Sequence, residues 1–335
     1  MSDYTPQAID LHQNSFVFDA HCDTLGHAVA VPFRRDLTQW GDHGHLDLPR
    51  MRAGGINAQI FACFPGVERL SANATSGALQ RVEALYELIS RAPDQIALVQ
   101  TADDLAQLSP QGPIGAILGL EGVEALDGQM SLLYAFYRLG IRNIGLTWDV
   151  RNPAADGVRA NTEFGLTPFG RDLVEVCGEL GIMVDVSHLN AAGLKDVLEI
   201  SSKPIIASHS NARALFEHPR NLSDSQARAI AEKGGVIGVT FVTYYLSADR
   251  TRSSLADLLD HLDHFVNVAG VEHVGIGSDY DGATIPSELD SGEKYPAITE
   301  GLLRRGYSPE DIRKILGENF RRAFADVLNR CAFET

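Results

Sequence analysis

Short apolar runs rich in β-branched residues recur along the chain, and each is typical of a strand buried on both faces. Eight such strands are predicted, at residues 16–20, 56–64, 114–120, 141–147, 182–186, 204–208, 235–241 and 273–278. Most are separated by stretches with the apolar spacing of helices, at residues 78–91, 130–139, 168–180, 191–200, 223–233 and 254–269. Strand and helix therefore alternate, which favours a parallel sheet.

Polar residues and glycine mark where several predicted helices begin and end. Ser223 and Gln226 have the spacing of a capping box, in which each side chain satisfies a backbone N–H of the first turn. Gly181 stands between a helical run and the next strand, where a glycine in the left-handed conformation would stop the helix. Ser308 and Pro309 begin a last helix, which we predict to continue to about residue 330.

The alternation runs through the chain without a Gly, Pro or Ser-rich linker. Eight strands with intervening helices then favour one (β/α)8 TIM barrel over a doubly wound sheet. We predict a single domain over residues 1–335, with irregular stretches at residues 28–55 and 149–167 around the mouth of the barrel.

Composition and charge narrow the class of protein. Hydrophobic residues make up 44% of the 335 residues and charged residues 21%, which is typical of a globular chain. The formal charge is −16, so the surface would repel nucleic acid. The cysteines are widely spaced and are expected to be reduced thiols: Cys22, Cys63, Cys177 and Cys331. The chain shows neither a basic, apolar leader nor an apolar run of about 20 residues, so we expect a cytoplasmic protein with no membrane partner.

Chemistry-bearing side chains follow the ends of several predicted strands. They are His21 and Asp23 after the first strand, Glu121 after the third, His188 after the fifth and His209 after the sixth. In a barrel the carboxyl ends of the strands converge on one face, so these three imidazoles and two carboxylates would meet there. That set of donors favours a two-metal hydrolytic site, in which a bridging water attacks a polarised carbonyl.

The spacing also suggests how these ligands are distributed between two metal ions. An extended backbone turns His21 and Asp23 to one side and Cys22 away, so the histidine and the carboxylate can share one ion. Glu121 has two oxygens and could bridge two ions, whereas Glu124 lies deeper in the following turn. Each residue alone has an ordinary structural explanation as a cap, a hydrogen-bonded side chain or a salt bridge. The metal site is favoured by their combination.

Two more residues are candidates for catalysis and substrate binding. Asp279 ends the eighth strand and could move a proton from the attacking water to a leaving amine. Asp281 lies on the same side and competes for this role, and an Asx turn is the structural alternative for either residue. Arg220, in the loop after His209, suits bidentate capture of a carboxylate, with a surface salt bridge as the alternative.

The other histidines are weaker candidates. His43 and His45 have a metal-binding spacing, but no apolar strand precedes them, so we expect a structural or mouth-lining role. His261 and His264 lie three residues apart on a predicted helix and are expected to face solvent.

The sequence resembles the membrane (renal) dipeptidase family, the M19 metallopeptidases of the amidohydrolase-like superfamily. The matching pieces follow one another in order over about 260 residues: DAHCDT at 19–24, HLDLPRMRAGGINAQIF at 45–61, LGLEG at 118–122, DVSHLN at 185–190, SHSNAR at 208–213, HPRNLSD at 218–224 and GIGSDYDG at 275–282. The resemblance implies a barrel of the metal-dependent hydrolase type with two zinc ions per subunit. It assigns His21 and Asp23 to one zinc ion, His188 and His209 to the other, and Glu121 to both.

The resemblance also implies how a substrate is held. Asp279 would lie beside the substrate amine and the bridging water, and Arg220 would bind the terminal carboxylate. Trp148 stands where the mammalian members have a histidine linked to oxyanion and substrate recognition. Because tryptophan offers one N–H and adds bulk, the mammalian substrate preference does not carry over. Family members also suggest a homodimer.

We therefore expect a binuclear zinc dipeptidase acting on L-Xaa-L-Xaa dipeptides and, by resemblance, on L-Xaa-D-Xaa dipeptides. Glu121 and Asp279 would be its catalytic residues, with Arg220, Asp279 and Trp148 at the substrate. One alternative is an amidohydrolase acting on N-acyl amino acids or another small amide or lactone. Another is a catalytically silent binding protein, which is disfavoured because all five ligands are present.

Overall fold

Nine parallel strands form the centre of the molecule in the computed structural model, which describes residues 4–30, 34–67, 70, 72–249 and 253–329. They are β1 Val17–Cys22, β2 Ile56–Ala62, β3 Ile96–Leu98, β4 Ile114–Glu121, β5 Ile141–Gly145, β6 Met183–Asp185, β7 Ile206–Ala207, β8 Val236–Val239 and β9 Val274–Ile276. All but β3 close into a ring, because β2 pairs with β4 and β9 pairs back to β1. The ring confirms the predicted (β/α)8 barrel, and each predicted run supplies one of its strands.

Strand β3 is the one strand of the described residues that the sequence pattern missed. It has three residues and pairs in parallel with the first residues of β4, outside the closed ring. Only Ile96 of the three is fully buried, so the segment lacks the long apolar run that marks the ring strands.

Helices surround the ring in the described residues. They are α1 Pro6–Gln13, α2 Thr24–Val29, α3 Leu48–Ala53, α4 Ala74–Arg91, α5 Ala102–Gln107, α6 Met130–Arg138, α7 Pro168–Leu180, α8 Ala191–Ile200, α9 Asp224–Glu232, α10 Thr243–Leu246, α11 Leu255–Ala269, α12 Pro296–Arg304, α13 Pro309–Arg313 and α14 Asn319–Val327. A π-helical segment, Lys314–Glu318, joins α13 to α14. The sequence missed α1, α12 and most of the helices of four to six residues, which are too short to show a full apolar period.

The predicted helix ends are confirmed. Ser223 and Gln226 form the reciprocal capping box at the start of α9. Gly181 ends α7 with φ +74°, in the left-handed region that favours glycine. The last helical region ends at Val327, and residues 330 and 331, including Cys331, lie outside the described residues.

The packing leaves one end of the barrel available for a site. Phe18, near the start of β1, packs against Phe320 and Phe324 of α14, with ring centroids 5.4 Å apart in both pairs. Helix α14 therefore covers the amino-terminal end of the strands, and the carboxyl-terminal end remains for the loops that carry chemistry.

The two stretches expected to be irregular differ. Residues 149–167 contain neither a helix nor a strand, as predicted. Residues 28–55 include the end of α2 and all of α3, so the expectation of a wholly irregular stretch is wrong. The Asp47 side chain caps α3 by accepting a hydrogen bond from the Arg50 N–H, and a proline stands in the first turn. Among the described helices, none combines the length and the apolar content required to cross a bilayer.

Candidate metal centre

The predicted ligands meet at the carboxyl ends of the ring strands. His21 is the next-to-last residue of β1, Asp23 comes directly after that strand, and Glu121 is the final residue of β4. His188 and His209 follow β6 and β7, and all three histidines are almost fully buried. The structure therefore brings together the five residues that the sequence singled out.

One half of the centre surrounds His21. Its Nε2 atom lies 3.5 Å from Asp23 Oδ2, 3.7 Å from Glu121 Oε2 and 3.9 Å from Asp279 Oδ1, and it makes no hydrogen bond among the described residues. Burial lowers the pKa of His21, but the three carboxylates outweigh it and raise the pKa to about 10. Three acidic groups around one buried nitrogen thus favour a positive charge at this position. Cys22 is buried in the apolar core, as the period-two rule predicted.

The other half joins His188, His209 and Glu121. The two Nε2 atoms of the histidines lie 2.9 Å apart, and His188 Nε2 is 3.1 Å from Glu121 Oε1. His209 is buried near His21, Arg220 and His188, and its pKa is held well below the usual value by that burial and by the neighbouring positive groups. His209 is therefore neutral.

Hydrogen bonds on the far side of each ring fix which nitrogen carries the proton. His188 Nδ1 donates to Asp149 Oδ1 at 2.7 Å. The Ser208 hydroxyl donates its one proton to Asp185, so it accepts from His209 Nδ1 at 2.7 Å. His188 therefore has a proton on Nδ1, His209 carries its proton on Nδ1, and the two Nε2 atoms face the same point.

This arrangement fits metal ions. Two imidazole nitrogens 2.9 Å apart need a cation or a proton between them, and His21 Nε2 has no hydrogen-bond partner among the described residues. Donor atoms of His21, Glu121 and His209 lie within 4.8 Å of one another, and so do those of His21, Asp23 and Asp279. Mixed imidazole and carboxylate ligands are those that zinc takes in hydrolases.

The sequence analysis did not find Asp149, the residue that accepts the hydrogen bond from His188 Nδ1. Asp149 lies four residues after the end of β5, so its position in the loop that follows a strand was an available signal. His188 has φ +66°, and this left-handed backbone aims its ring toward Glu121. Nothing in the residue order around position 188 indicates that conformation.

The structure separates Asp279 from its competitor Asp281. Asp279 lines the main cavity and faces His21, and burial raises its pKa to about 7, although His21 opposes the shift. Asp281 instead accepts hydrogen bonds from Thr24 Oγ1, from Arg35 Nη1 and from the His45 N–H. Asp281 is therefore a structural anchor for the loop that contains Arg35 and His45.

Glu124 lies outside both groups of donor atoms, in agreement with its deeper position in the sequence. It opens the short 3₁₀ turn Glu124–Leu126. Burial raises its pKa to about 7, and the Glu121 charge acts in the same direction. Neither carboxylate oxygen has a hydrogen-bond partner among the described residues.

Of the four weaker histidines, His45 has the expected structural role, whereas His261 does not face solvent. His43 is exposed, and His45 Nδ1 accepts a hydrogen bond from the Asp281 N–H, which is a structural role. His261 is buried, so the expectation that it faces solvent is wrong: it lies on the apolar face of α11 and bonds to the Ala212 N–H and the Leu246 carbonyl. His264 is partly exposed and pairs with Asp224.

A cavity of about 740 Å³ opens over the centre. Asp23, Glu121, His188, Asp279 and Trp148 are among the residues that line it. The Trp148 ring lies 5.5 Å from the Phe64 ring and 6.1 Å from the His188 ring, centroid to centroid. Trp148 therefore narrows the cavity on the side of His188.

Arg220 lies at the edge of the same centre. It is buried, and it donates to the His209 carbonyl at 2.9 Å and to Ser210 Oγ at 3.4 Å. Its Nε atom has no acceptor among the described residues. The guanidinium carbon lies 5.4 Å from the ring of Tyr245, a cavity-lining residue that the sequence analysis missed. The alternative of a surface salt bridge is excluded because the side chain is buried.

A closed parallel barrel with imidazole and carboxylate donors gathered at the carboxyl ends of its strands defines a metal-dependent hydrolase. Comparison with known proteins identifies which one. The sequence profile of the membrane dipeptidase family, peptidase family M19, matches residues 5–332, and the chain belongs to this family.

Individual relatives agree. Dipeptidase tcpJ of Claviceps purpurea (strain 20.1) is 32% identical over 297 residues, which are 85% of this chain and 69% of the relative. A metallopeptidase of Rhodobacter sphaeroides, solved with a phosphinate mimic of the dipeptide L-Ala-D-Ala, is 32% identical, with a TM-score of 0.87 over 94% of this chain and 99% of that one. The solved dipeptidase AC, a metallopeptidase of family M19, is 33% identical with the same TM-score and coverage. The predicted family is confirmed, and the chain is a metallo-dipeptidase with a metal cofactor and a dipeptide substrate.

Proposed function

We propose that this dipeptidase binds two zinc ions, one at His21 and Asp23 and one at His188 and His209, with Glu121 bridging them. The geometry of Glu121 carries the proposal. Its Oε2 atom faces His21 Nε2 at 3.7 Å, whereas its Oε1 atom faces His188 Nε2 at 3.1 Å. One carboxylate thus presents a separate oxygen to each half of the centre.

Zinc ions bound there would lower the pKa of the attacking water and polarise the scissile carbonyl. Asp279 faces the cavity from the side of His21, so it can accept the proton of that water and then deliver it to the leaving amine. The Asp279 N–H donates to the His21 carbonyl at 3.1 Å, which ties the base to the strand that carries a proposed zinc ligand. Proton transfer and metal binding are thereby assigned to neighbouring but separate residues.

If the site binds both the free amine and the terminal carboxylate, the substrate can be only two residues long. Asp279 would pair with the free amine, and Arg220, whose Nε atom has no acceptor among the described residues, would bind the terminal carboxylate beside Tyr245. The phosphinate mimic of L-Ala-D-Ala bound by the Rhodobacter sphaeroides relative supports acceptance of L-Xaa-D-Xaa dipeptides. We propose that L-Xaa-L-Xaa dipeptides, which offer the same free amine and terminal carboxylate, are accepted as well.

The test is hydrolysis of L-Ala-L-Ala, L-Ala-D-Ala, D-Ala-L-Ala and N-acetyl-L-alanine by the zinc-loaded protein. We expect turnover of the first two, because only they offer a free amine to Asp279 and an L residue before the scissile bond. Preferred hydrolysis of N-acetyl-L-alanine would identify an amidohydrolase of another specificity and would contradict the proposal.

The Asp279→Asn variant tests the proton transfer. It should lower kcat by about 10²- to 10⁴-fold while the zinc content stays constant. The control is Asp290→Asn, the same change at an exposed aspartate paired with Lys294, which should leave kcat unchanged. Full activity of the Asp279→Asn variant would remove this residue from catalysis.

A further inference from the structure

Ser278, the residue before Asp279, is bound by an aspartate of the neighbouring strand. Both partners are fully buried: Asp19 lies in β1, and Ser278 lies two residues after the end of β9. Asp19 Oδ2 accepts a hydrogen bond from the Ser278 hydroxyl at 2.6 Å, and Asp19 Oδ1 accepts one from the Ser278 N–H at 2.8 Å. Because one carboxylate receives both bonds, the backbone and the side chain of Ser278 are fixed together.

The Ser278 hydroxyl also closes the turn that contains Asp279. It lies 2.6 Å from Asp19 Oδ2 and 3.1 Å from the His21 carbonyl, so its one proton goes to the closer acceptor, the carboxylate. The hydroxyl oxygen then accepts a hydrogen bond from the Tyr280 N–H at 3.1 Å. A serine oxygen that accepts from the N–H two residues further on stabilises a turn, and Asp279 is the residue in the middle of this one.

Asp279 has a backbone conformation that needs such support. Its φ is +62°, in the left-handed region that residues other than glycine rarely adopt. Its N–H donates to the His21 carbonyl at 3.1 Å, and its carbonyl accepts from the Gly282 N–H at 3.2 Å. Removal of the Ser278 hydroxyl would take away the turn bond and leave every proposed zinc ligand and substrate-binding group in the chain.

The same arrangement occurs a second time in the barrel. Ser208 donates its N–H, at 3.0 Å, and its hydroxyl proton to Asp185. In both strand pairs the serine lies two residues beyond the register partner of the aspartate. His209 directly follows Ser208, and Asp279 follows Ser278 in the same way. The contact thus occurs twice, each time next to a residue of the metal centre.

We infer that Ser278 is a positioning residue for proton transfer: bound by Asp19, it keeps the Asp279 carboxylate in the geometry that the reaction requires. The inference rests on the proposed role of Asp279 as the base. Ser278 differs from Ser208 in one respect, because its oxygen accepts from a backbone N–H and not from the ring of a zinc ligand. Ser278 should therefore affect kcat and leave zinc binding unchanged.

The experiment measures kcat, KM and zinc content during L-Ala-D-Ala hydrolysis by the zinc-loaded wild type, Ser278→Ala, Asp279→Asn and the double variant. Ser278→Ala should lower kcat by about 10- to 100-fold at the wild-type zinc content, with a smaller effect on KM. Because the serine acts through Asp279, the double variant should have the kcat of Asp279→Asn alone. A serine that merely supports the fold would lower kcat by the same factor in both backgrounds.

Two further variants complete the comparison. The matched control is Ser15→Ala, at a buried serine whose hydroxyl donates to the Leu11 carbonyl at 2.6 Å, and it should keep the wild-type kcat. Asp19→Asn changes the same contact without removing volume, so it replaces Ser278→Ala if that variant does not fold. Its loss of kcat should also vanish in the Asp279→Asn background.

Wild-type kcat in Ser278→Ala, a loss that extra zinc reverses, or an equal loss with and without the Asp279 carboxylate would overturn the inference. In each of these cases a low kcat of Asp279→Asn would leave the proposed base in its role. Full activity of Asp279→Asn would overturn both.

Discussion

Removing the Asp149 carboxylate should weaken zinc binding without touching a zinc ligand. If His188 binds zinc as proposed, its Nε2 atom coordinates the ion and its proton stays on Nδ1, which lies 2.7 Å from Asp149 Oδ1. In the Asp149→Ala variant that proton has no acceptor, whereas in the metal-free protein the proton can move to Nε2, 3.1 Å from Glu121. Loss of the acceptor therefore destabilises the zinc-bound state more than the metal-free state.

The magnitude follows from the burial of this contact. An unsatisfied buried donor costs about 1–3 kcal/mol, and about 1.4 kcal/mol corresponds to a tenfold change in affinity. We expect zinc affinity to fall about 10- to 100-fold in Asp149→Ala. Asp149→Asn, which keeps an acceptor oxygen but loses the charge, should fall between this variant and the wild type.

Competition with a chromophoric chelator measures the effect on each zinc equivalent. The control is Arg159→Gln, because Arg159 pairs with the same carboxylate at 3.1 Å but its side chain is 59% exposed. Such exposed pairs contribute at most about 1 kcal/mol, so affinity should change less than about fivefold. Unchanged zinc affinity in Asp149→Ala would refute the reasoning that this residue fixes the tautomer of His188.

Two further variants test the surroundings of the centre. Burial would raise the pKa of Asp281, but Arg35 and neighbouring hydrogen bonds hold it below the usual value, so this carboxylate contributes stability above about pH 4 that is lost as the pH falls through its folded-state pKa. Asp281→Asn should therefore lower the free energy of unfolding by about 3 kcal/mol at pH 7, as measured by urea titration. As the pH is lowered from 7, the variant should lose less stability than the wild type does. Equal stability of variant and wild type at pH 7 would contradict this role. A Cβ atom on Gly282 would overlap the Asp23 carboxylate, so Gly282→Ala should reduce zinc affinity at least about tenfold by calorimetry. Gly178→Ala, which meets its neighbours only at ordinary contact distances, should have no effect, and equal zinc affinity in the two variants would argue against the crowding.

The sequence predicts the barrel well because ring strands are buried on both faces and so appear as apolar runs. The ligands were found for a related reason: His21, Glu121, His188 and His209 are polar residues placed where such runs end. A polar side chain at that point is conspicuous against its apolar surroundings, whatever its distant partners are.

The unpredicted features depend on conformation or on tertiary contacts. The left-handed backbone of His188 and its hydrogen bond to Asp149 join segments 39 residues apart. His261 was predicted to face solvent from its polarity, yet it lies on the stripe formed by Leu258, Leu262 and Phe265 and is satisfied by backbone groups. A buried polar side chain of this kind is explained only by partners that the sequence does not reveal. The cytoplasmic location and the homodimer stay predictions.

The central claim is that one buried centre holds two zinc ions on either side of the Glu121 carboxylate. Anomalous diffraction above the zinc absorption edge, on crystals of the zinc-loaded protein, tests it most directly. We expect two peaks of comparable occupancy, one beside His21 and Asp23 and one beside His188 and His209. A single peak, or none at these residues, would contradict the account.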